Sequence, residues 1–562
     1  MCRRHKVTFI DDSFQPIDRS IYLQNSWSQS KAPVKWLRPC EICTDNTNKW
    51  AVFRNPASTD IVQGVLGDCW LLSSLSVIAE IPDLLTQLIP KYNIDFGCFL
   101  VRLYVFGNWV AVAVDDLLPC NASNKILFSF ARRNQLWVSL IEKAYAKVSG
   151  CYYALNAGKC IEGLAILTGF PCESINLTGD VDRDLLYAKI FSACQTGYLL
   201  GASCGGGCMT VNDDEYNKVG LRPRHAYSIL QLKTLQDNTK LVQLRNPWGR
   251  FSWTGDWSDN SKLWTLSLRE KLSAYGSDEG VFWISFHDLL KYFDSVDVCK
   301  VDKKWQRSSL SVGLSPEIQC IKLIAVQTSE VHCTLWQKSL RRLDSAFDIA
   351  LVVCRGSEAR TMALNSRRAQ KFFVSCSGVL EPGEYIIVPL TFNRINEMKT
   401  NFLSSDMLNL VVHSQRQIEI NHCSLPYIAD ALICMATAIG EQKSGRIGMT
   451  LYFVSNRWSG LLLVAENRNV DRWVNVHCDC KESFNVVSTR GTLVTIDSIP
   501  PLHCQVLVIL TQLEVSEGFK IAQKVSHCDS NQSGLLEFGY PNKVNEPFIP
   551  QHLKHIHSPR PI

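Results

Sequence analysis

The sequence predicts an α+β protein of several domains, and three observations lead there. At 562 residues the chain exceeds what one hydrophobic core can serve. Its apolar helical runs fall early, at 69–79 and 136–148. Past about residue 300 the texture turns to short β-rich segments with turn residues between them, the rhythm of a β-sandwich. Composition is that of an ordinary globular chain, 46% hydrophobic and 20% charged. The net charge of +5 is spread over 58 basic and 53 acidic side chains with no Lys/Arg block, so nucleic acid is not an expected partner. The start has no apolar secretory run, and no stretch is apolar enough to span a bilayer. The 23 cysteines are irregularly spaced and read as reduced thiols, which together predicts a cytoplasmic protein.

Residues 1–60 are mixed and loop-rich. The decapeptide Gln63-Gly64-Val65-Leu66-Gly67-Asp68-Cys69-Trp70-Leu71-Leu72 then delivers one cysteine to the mouth of an apolar run that stops at Pro82. A helix starting there aims its unpaired amides and positive dipole end at the Cys69 sulfur, which favours thiolate. Gln63 adds a side-chain amide able to donate to an oxyanion beside the Cys69 backbone N–H. Segments 99–105 and 109–114 read as strands joined across Phe106-Gly107-Asn108, and 136–148 as a second helix. Residues 201–208 form a glycine-rich break and 211–220 a polar stretch, before strands at 226–232, 241–244 and 281–286. The sandwich strands fall at 321–326, 347–353, 371–375, 385–389 and 408–413. Beyond them come a helix at 428–439 and strands at 449–454, 461–465, 473–476 and 506–510. The tail from Tyr540, rich in Pro and His, is expected to be poorly ordered.

A lone buried cysteine capping a core helix is the ordinary reading of Cys69, and a base must be found to displace it. The first 300 residues hold three histidines, His5, His225 and His287. His5 sits at the terminus and His287 at a strand end, where structural histidines are commonplace. His225 stands between a polar loop and an apolar strand, where its ring can be fixed and still face a cleft. Further on, Asn246 closes a strand ahead of Pro247-Trp248-Gly249. Asn246 can accept from the imidazole and Trp248 can shield that bond from water. In this scheme His225 pairs with Cys69 and later protonates the leaving amine, while Asn246 holds the ring. The order Cys…His…Asn is that of the papain-like arrangement.

With those residues in place, the chain resembles the calpain cysteine proteases over most of residues 9–300. The resemblance is carried by 63–72, His225-Ala226-Tyr227 and Asn246-Pro247-Trp248-Gly249. It extends to Phe9-Ile10-Asp11-Asp12-Ser13-Phe14, Trp36-Leu37-Arg38-Pro39 and the run Leu136 to Tyr145. Segments 201–207, 221–225 and 246–253 are most similar to the small-optic-lobes (calpain-15) branch, whose usual N-terminal zinc fingers this sequence does not contain. Leu380-Glu381-Pro382-Gly383-Glu384-Tyr385 resembles a calpain β-sandwich motif. The resemblance implies a papain-like core of two subdomains, 1–200 and 201–302. It further implies a C2-like sandwich at 303–413, a β-rich domain of the branch at 414–545 and a flexible tail at 546–562.

The resemblance also implies calcium, drawing the two subdomains together. Asp60 and Glu162 stand where the first site's carboxylates belong, with carbonyls from residues 53–55. At the second site Asp259 matches and Glu279 replaces an aspartate, but Ser252 and Val281 fall where the pattern has glutamates, so weak or absent calcium is expected there. No EF-hand pattern is present, so the EF-hand small subunit is not implied. Zinc is not expected: Cys40-x-x-Cys43 lacks a second pair at finger spacing, and neighbours in the His-Cys dipeptides point to opposite faces of a strand. The reading is an intracellular calcium-dependent cysteine endopeptidase acting on protein substrates. Its alternative is a catalytically silent scaffold whose C-terminal β domains contact a membrane or a protein. A transglutaminase would need an aspartate where Asn246 stands.

Overall fold

In the computed structural model the described part of the first 170 residues wraps loops and small sheets around the buried helices Cys69–Ala79, Trp137–Ser149 and Cys160–Thr168. The structure describes the chain apart from residues 1–6, 24–32, 46, 180–181, 206–211, 250–251, 273, 275–279, 314–318, 339–346, 357–358, 360, 393–406, 424–426, 446–447, 457, 515–516, 534–548 and 550–552. Two units result, 1–303 and 304–562. No helix among the described residues is long and apolar enough to cross a membrane.

The Cys69–Ala79 helix is buried on every side beyond its first residue, as an all-round apolar helix must be. Its serines do not break this rule, because each hydroxyl or neighbouring carbonyl finds a partner. Ser74 Oγ donates to Trp70 O (2.9 Å) and Cys160 O (3.1 Å), binding the helix Cys160–Thr168. Gly163 permits that approach, since a Cβ there would lie 2.5 Å from Ser74 Oγ. Proline at the first position of the next helix, Pro82–Leu88, ends the run. The predicted hairpin forms as Cys98–Val105 against Asn108–Asp115, with Phe106 and Gly107 in the left-handed region that a tight two-residue turn requires.

A six-stranded antiparallel sheet follows, in the order Val281–Ser285, Lys240–Arg245, His225–Thr234, Leu199–Cys204, Ser295–Cys299, Cys172–Asn176. Two helices flanking it have no counterpart in the sequence reading. Arg183–Gln195 is capped by Asp182, which accepts from Asp184 N and Leu185 N. Asp213–Lys218 lies in the stretch read as a polar loop. Asn212 caps it, and Tyr216 anchors it by donating to Tyr292 O at 2.6 Å. One buried aromatic on a short acidic segment is too little periodicity to signal a helix.

In the second unit, two sheets face each other across a core of alternate side chains, Val331, Leu335, Leu410 and Val412 from one and Ile321, Leu323, Leu351 and Ile387 from the other. The 380–385 motif turns the chain between Phe373–Leu380 and Gly383–Thr391, with the Tyr385 hydroxyl donating to Glu381 O (2.8 Å). Helix Ile428–Ile439 packs its apolar residues against strands of this sheet and of the next. The last sheets bring Leu451, Leu463 and Val508 against Val474, Val476 and Ile499. Residues 553–562 are ordered differently from the flexible tail expected at 546–562, of which 546–548 and 550–552 lie outside the described residues. Leu553 and Ile556 are buried in the core, Lys554–His557 is helical, and Arg560–Pro561 pairs with His503–Gln512. His557 is held by Val506 O (2.8 Å) and Thr489 Oγ1 (3.0 Å). Two apolar side chains in a short polar tail suffice to dock it.

Candidate active site

Cys69 is the first residue of its helix, and the Asp68 carbonyl accepts from Leu71 N (2.9 Å) and Leu72 N (3.2 Å). The loop before it is fixed by backbone proximity: a Cβ at Gly64 would lie 2.3 Å from Phe128 O. Cys69 as a residue is half-buried, and its sulfur faces the backbone amide of Ala226, the residue after His225. Burial pushes the Cys69 thiol up to about 11, and Asp68 adds to the shift, while the amides of Ala226, Trp70 and Cys69 oppose it. Burial thus works against the thiolate that the helix start favours. The fraction of a charge at a helix start does not offset the loss of water around the sulfur.

His225 opens the strand His225–Thr234. Its Nε2 lies 2.8 Å from Asn246 Oδ1. Asn246 is fully buried, donates through its own N–H to Gly280 O (2.9 Å), and receives Trp248 N–H on the same Oδ1 (3.0 Å). That second donor orients the carboxamide oxygen toward the histidine, so Nε2 carries the ring proton and Nδ1 is left as the base. Trp248 packs at an angle to the imidazole with centroids 5.1 Å apart, and Tyr227 meets it edge-on at 5.0 Å. Burial pushes the imidazolium down to about 4, the Asn246 hydrogen bond opposing and the Arg222 charge reinforcing. Among the described residues no hydrogen bond joins the Cys69 sulfur to the His225 ring. Burial thus favours the neutral form of both the thiol and the imidazole at rest.

Gln63 Nε2 donates one N–H to Leu66 O at 2.6 Å, within its own loop. The same nitrogen carries a second N–H. A buried carboxyl pair beneath the cysteine is absent from the sequence reading. Asp68 and Glu142 are both buried, and Glu142 accepts from Ser129 N at 3.2 Å on each oxygen. Burial first, then the charge and hydrogen bond of Asp68, push Glu142 well above the carboxylate range, which favours a proton held on the pair. The stability this proton contributes is complete below the ordinary carboxylate range and is lost as pH rises toward the folded value. Glu142→Gln is expected to keep the bond to Asp68 and to flatten that loss, gaining on the parent between pH 5 and pH 8. Melting temperatures of both proteins across that range check it, and parallel curves would remove the shared proton.

Of the residues matched to calcium, Asp60 is buried at the end of the turn Ser58–Asp60. Its carboxylate accepts Arg133 Nε (2.9 Å), Arg133 Nη2 and Ala57 N (3.0 Å). Arg133 Nη2 also donates to Asn55 O (2.9 Å). Glu162 lies half-buried in the first turn of Cys160–Thr168. Burial raises Asp259, with Arg269 opposing, and Arg269 Nη2 donates to Asp259 O at 2.6 Å. Glu279 lies outside the described residues, as do His5, 206–208 of the glycine-rich break and 211 at the head of the polar stretch. Among the described residues no three His, Cys, Asp or Glu side chains gather as a metal cluster. As arranged, the positive charge beside the Asp60 carboxylate is supplied by the Arg133 guanidinium.

A thiol borne on a helix, set against a histidine–asparagine pair borne on a sheet, is the division of labour of a cysteine peptidase. Known proteins place the chain in the same class: residues 9–300 match the calpain family cysteine proteases, and 435–533 a calpain-D-like C-terminal domain. The chain belongs to the calpain family of cysteine proteases. It is 38% identical over 317 residues to the calpain-type cysteine protease DEK1 of Arabidopsis thaliana, covering 54% of this chain and 14% of that protein. It is 30% identical over 462 residues to the calpain-2 catalytic subunit of Bos taurus, 70% of this chain and 64% of that one. It is 28% identical over 466 residues to calpain-5 of Mus musculus, 70% and 71% respectively.

Proposed function

We propose that the chain is an intracellular cysteine endopeptidase that makes limited cuts in protein substrates, with Cys69 as nucleophile, His225 as base and acid, and Asn246 as the group that orients the ring. The observation that carries this reading is the 2.8 Å His225–Asn246 bond, which leaves Nδ1 available beside a helix-borne cysteine. His225 Nδ1 takes the Cys69 proton as the sulfur attacks the peptide carbonyl. The Cys69 N–H and the Gln63 amide, once turned from Leu66, receive the oxyanion. The imidazolium then protonates the leaving amine, and water hydrolyses the thioester with His225 again as base. Family placement is assigned to the small-optic-lobes branch on residues 201–207, 221–225 and 246–253.

A silent scaffold acting through the C-terminal domains draws on the neutral resting pair. A peptidyl epoxide separates the two readings. Mass spectrometry is expected to find the adduct on Cys69 alone among the 23 cysteines, and His225→Ala to prevent it. Labelling elsewhere, or none under any cation condition, sinks the endopeptidase reading.

A further inference from the structure

We propose that the Arg133 guanidinium is the resident cation of the Asp60 loop, and that it sets the nucleophile loop against the histidine–asparagine sheet without a metal ion at that position. One guanidinium spans a buried carboxylate and a backbone carbonyl, Asp60 and Asn55, the two kinds of oxygen a hard cation collects. The backbone is bent to allow it. Asn55 (φ 45°), Arg133 (φ 61°) and Asn134 (φ 54°) all lie in the left-handed region, a cost that persists only where surrounding bonds over-determine the conformation. They do so here: Arg132 N donates to Asp60 O (2.8 Å), Arg54 N to Gln135 Oε1 (2.7 Å), and Asn134 Nδ2 to Asn48 O (2.6 Å).

From Asp60 the connection to the candidate catalytic residues is short. The next residue, Ile61, pairs with Ala131, two residues before Arg133. The Ile61 carbonyl accepts from Arg245 Nη2 (2.8 Å), and Arg245 is fully buried and immediately precedes Asn246. Gly249 rests on the same place, since a Cβ there would lie 3.4 Å from Arg132 Nη2 and 3.9 Å from Ile61 O. Gln63 follows Asp60 by three positions. Arg133 thus acts as a positioning residue through Asp60, Ile61 and Arg245. A divalent ion would have to compete with a guanidinium that makes two charge-assisted bonds to the one carboxylate.

The inference rests on the endopeptidase reading for its activity arm, whereas its binding arm stands alone. Calorimetric calcium titration of the full chain is expected to show no binding event that Asp60→Asn removes, while Arg133→Ala gains a calcium site that a further Asp60→Asn abolishes. In chelator, Arg133→Ala is expected to lose roughly 10²-fold in kcat/KM, the cost of misplaced reacting groups. Millimolar guanidinium or calcium should restore much of that, and Arg133→Lys should retain more activity than Arg133→Ala. A calcium event in the parent that Asp60→Asn removes overturns the proposal, as does full activity of Arg133→Ala in chelator. If Arg133→Ala fails to fold, the parent and Asp60→Asn titrations still decide it. An inactive parent leaves the binding result to stand against the endopeptidase reading alone.

Discussion

Alanine in place of Cys69 is expected to lower kcat/KM on an unstructured protein by on the order of 10⁶-fold, the loss that follows deletion of a peptidase nucleophile. His225→Ala should cost nearly as much, and the double variant little more, because the two act as one unit. Asn246→Ala should cost about 10²-fold, since Trp248 and Tyr227 still confine the ring while its proton is no longer fixed on Nε2. The resting protonation makes a second readout. With the thiol pushed up to about 11 and the imidazolium down to about 4, neither group is charged across the neutral range. The thiolate fraction at pH 7.5 is then roughly 10⁻³ to 10⁻⁴. Alkylation of Cys69 by iodoacetamide should be slow and still climbing past pH 9. A rate that levels off below pH 7 would instead place a preformed thiolate–imidazolium pair in the free enzyme, and the charge separation would no longer wait for substrate to reshape the cleft.

The parts of this site that could be read from sequence are those carried by contiguous residues. Cys69 was marked by the glycines before it and the apolar run after it, His225 by a loop-to-strand junction, and Asn246 by the proline that follows. The same holds for the fold: the helix at 428–439 and the strand at 449–454 occur as their periodicity predicts. What could not be read depends on segments that meet only after folding. The Cys69 shift is set by how dry its surroundings are, to which Ala226 and Asp68 both belong. Asp68 and Glu142 lie on opposite sides of the hairpin in sequence, and each looks like ordinary solvated charge. Arg133 sits in Arg132-Arg133-Asn134, where nothing local distinguishes a cation that fills a carboxylate pocket from one that faces water. A family pattern of carboxylates marks where positive charge is wanted. It is silent on whether a metal ion or a side chain supplies it.

Arg245→Met should show whether the two halves of the site are held in register by a buried cation. The guanidinium is fully buried and reaches two elements of the nucleophile side, Ile61 O through Nη2 (2.8 Å) and Ser76 Oγ through Nη1 (3.5 Å). Ser228, the register partner of Arg245 on the next strand, donates to Ser73 O (2.9 Å). Ser73 and Ser76 are three apart, so both bonds fall on one face of the Cys69 helix, and the Arg245 bond gives the Ser76 hydroxyl a partner in an otherwise apolar run. Methionine fills the volume but leaves the Ile61 carbonyl buried without this donor, a cost of about 1–3 kcal/mol. The catalytic loss should be larger in proportion, about 10²-fold in kcat with KM little changed, because Asn246 follows directly and its placement moves with the strand. Arg245→Lys, a shorter point charge, should recover stability better than kcat. Urea unfolding and steady-state kinetics on the same preparations separate the outcomes. Wild-type kcat in a destabilised Arg245→Met protein would make Arg245 a packing residue and leave Ser228 alone to register the helix against the sheet.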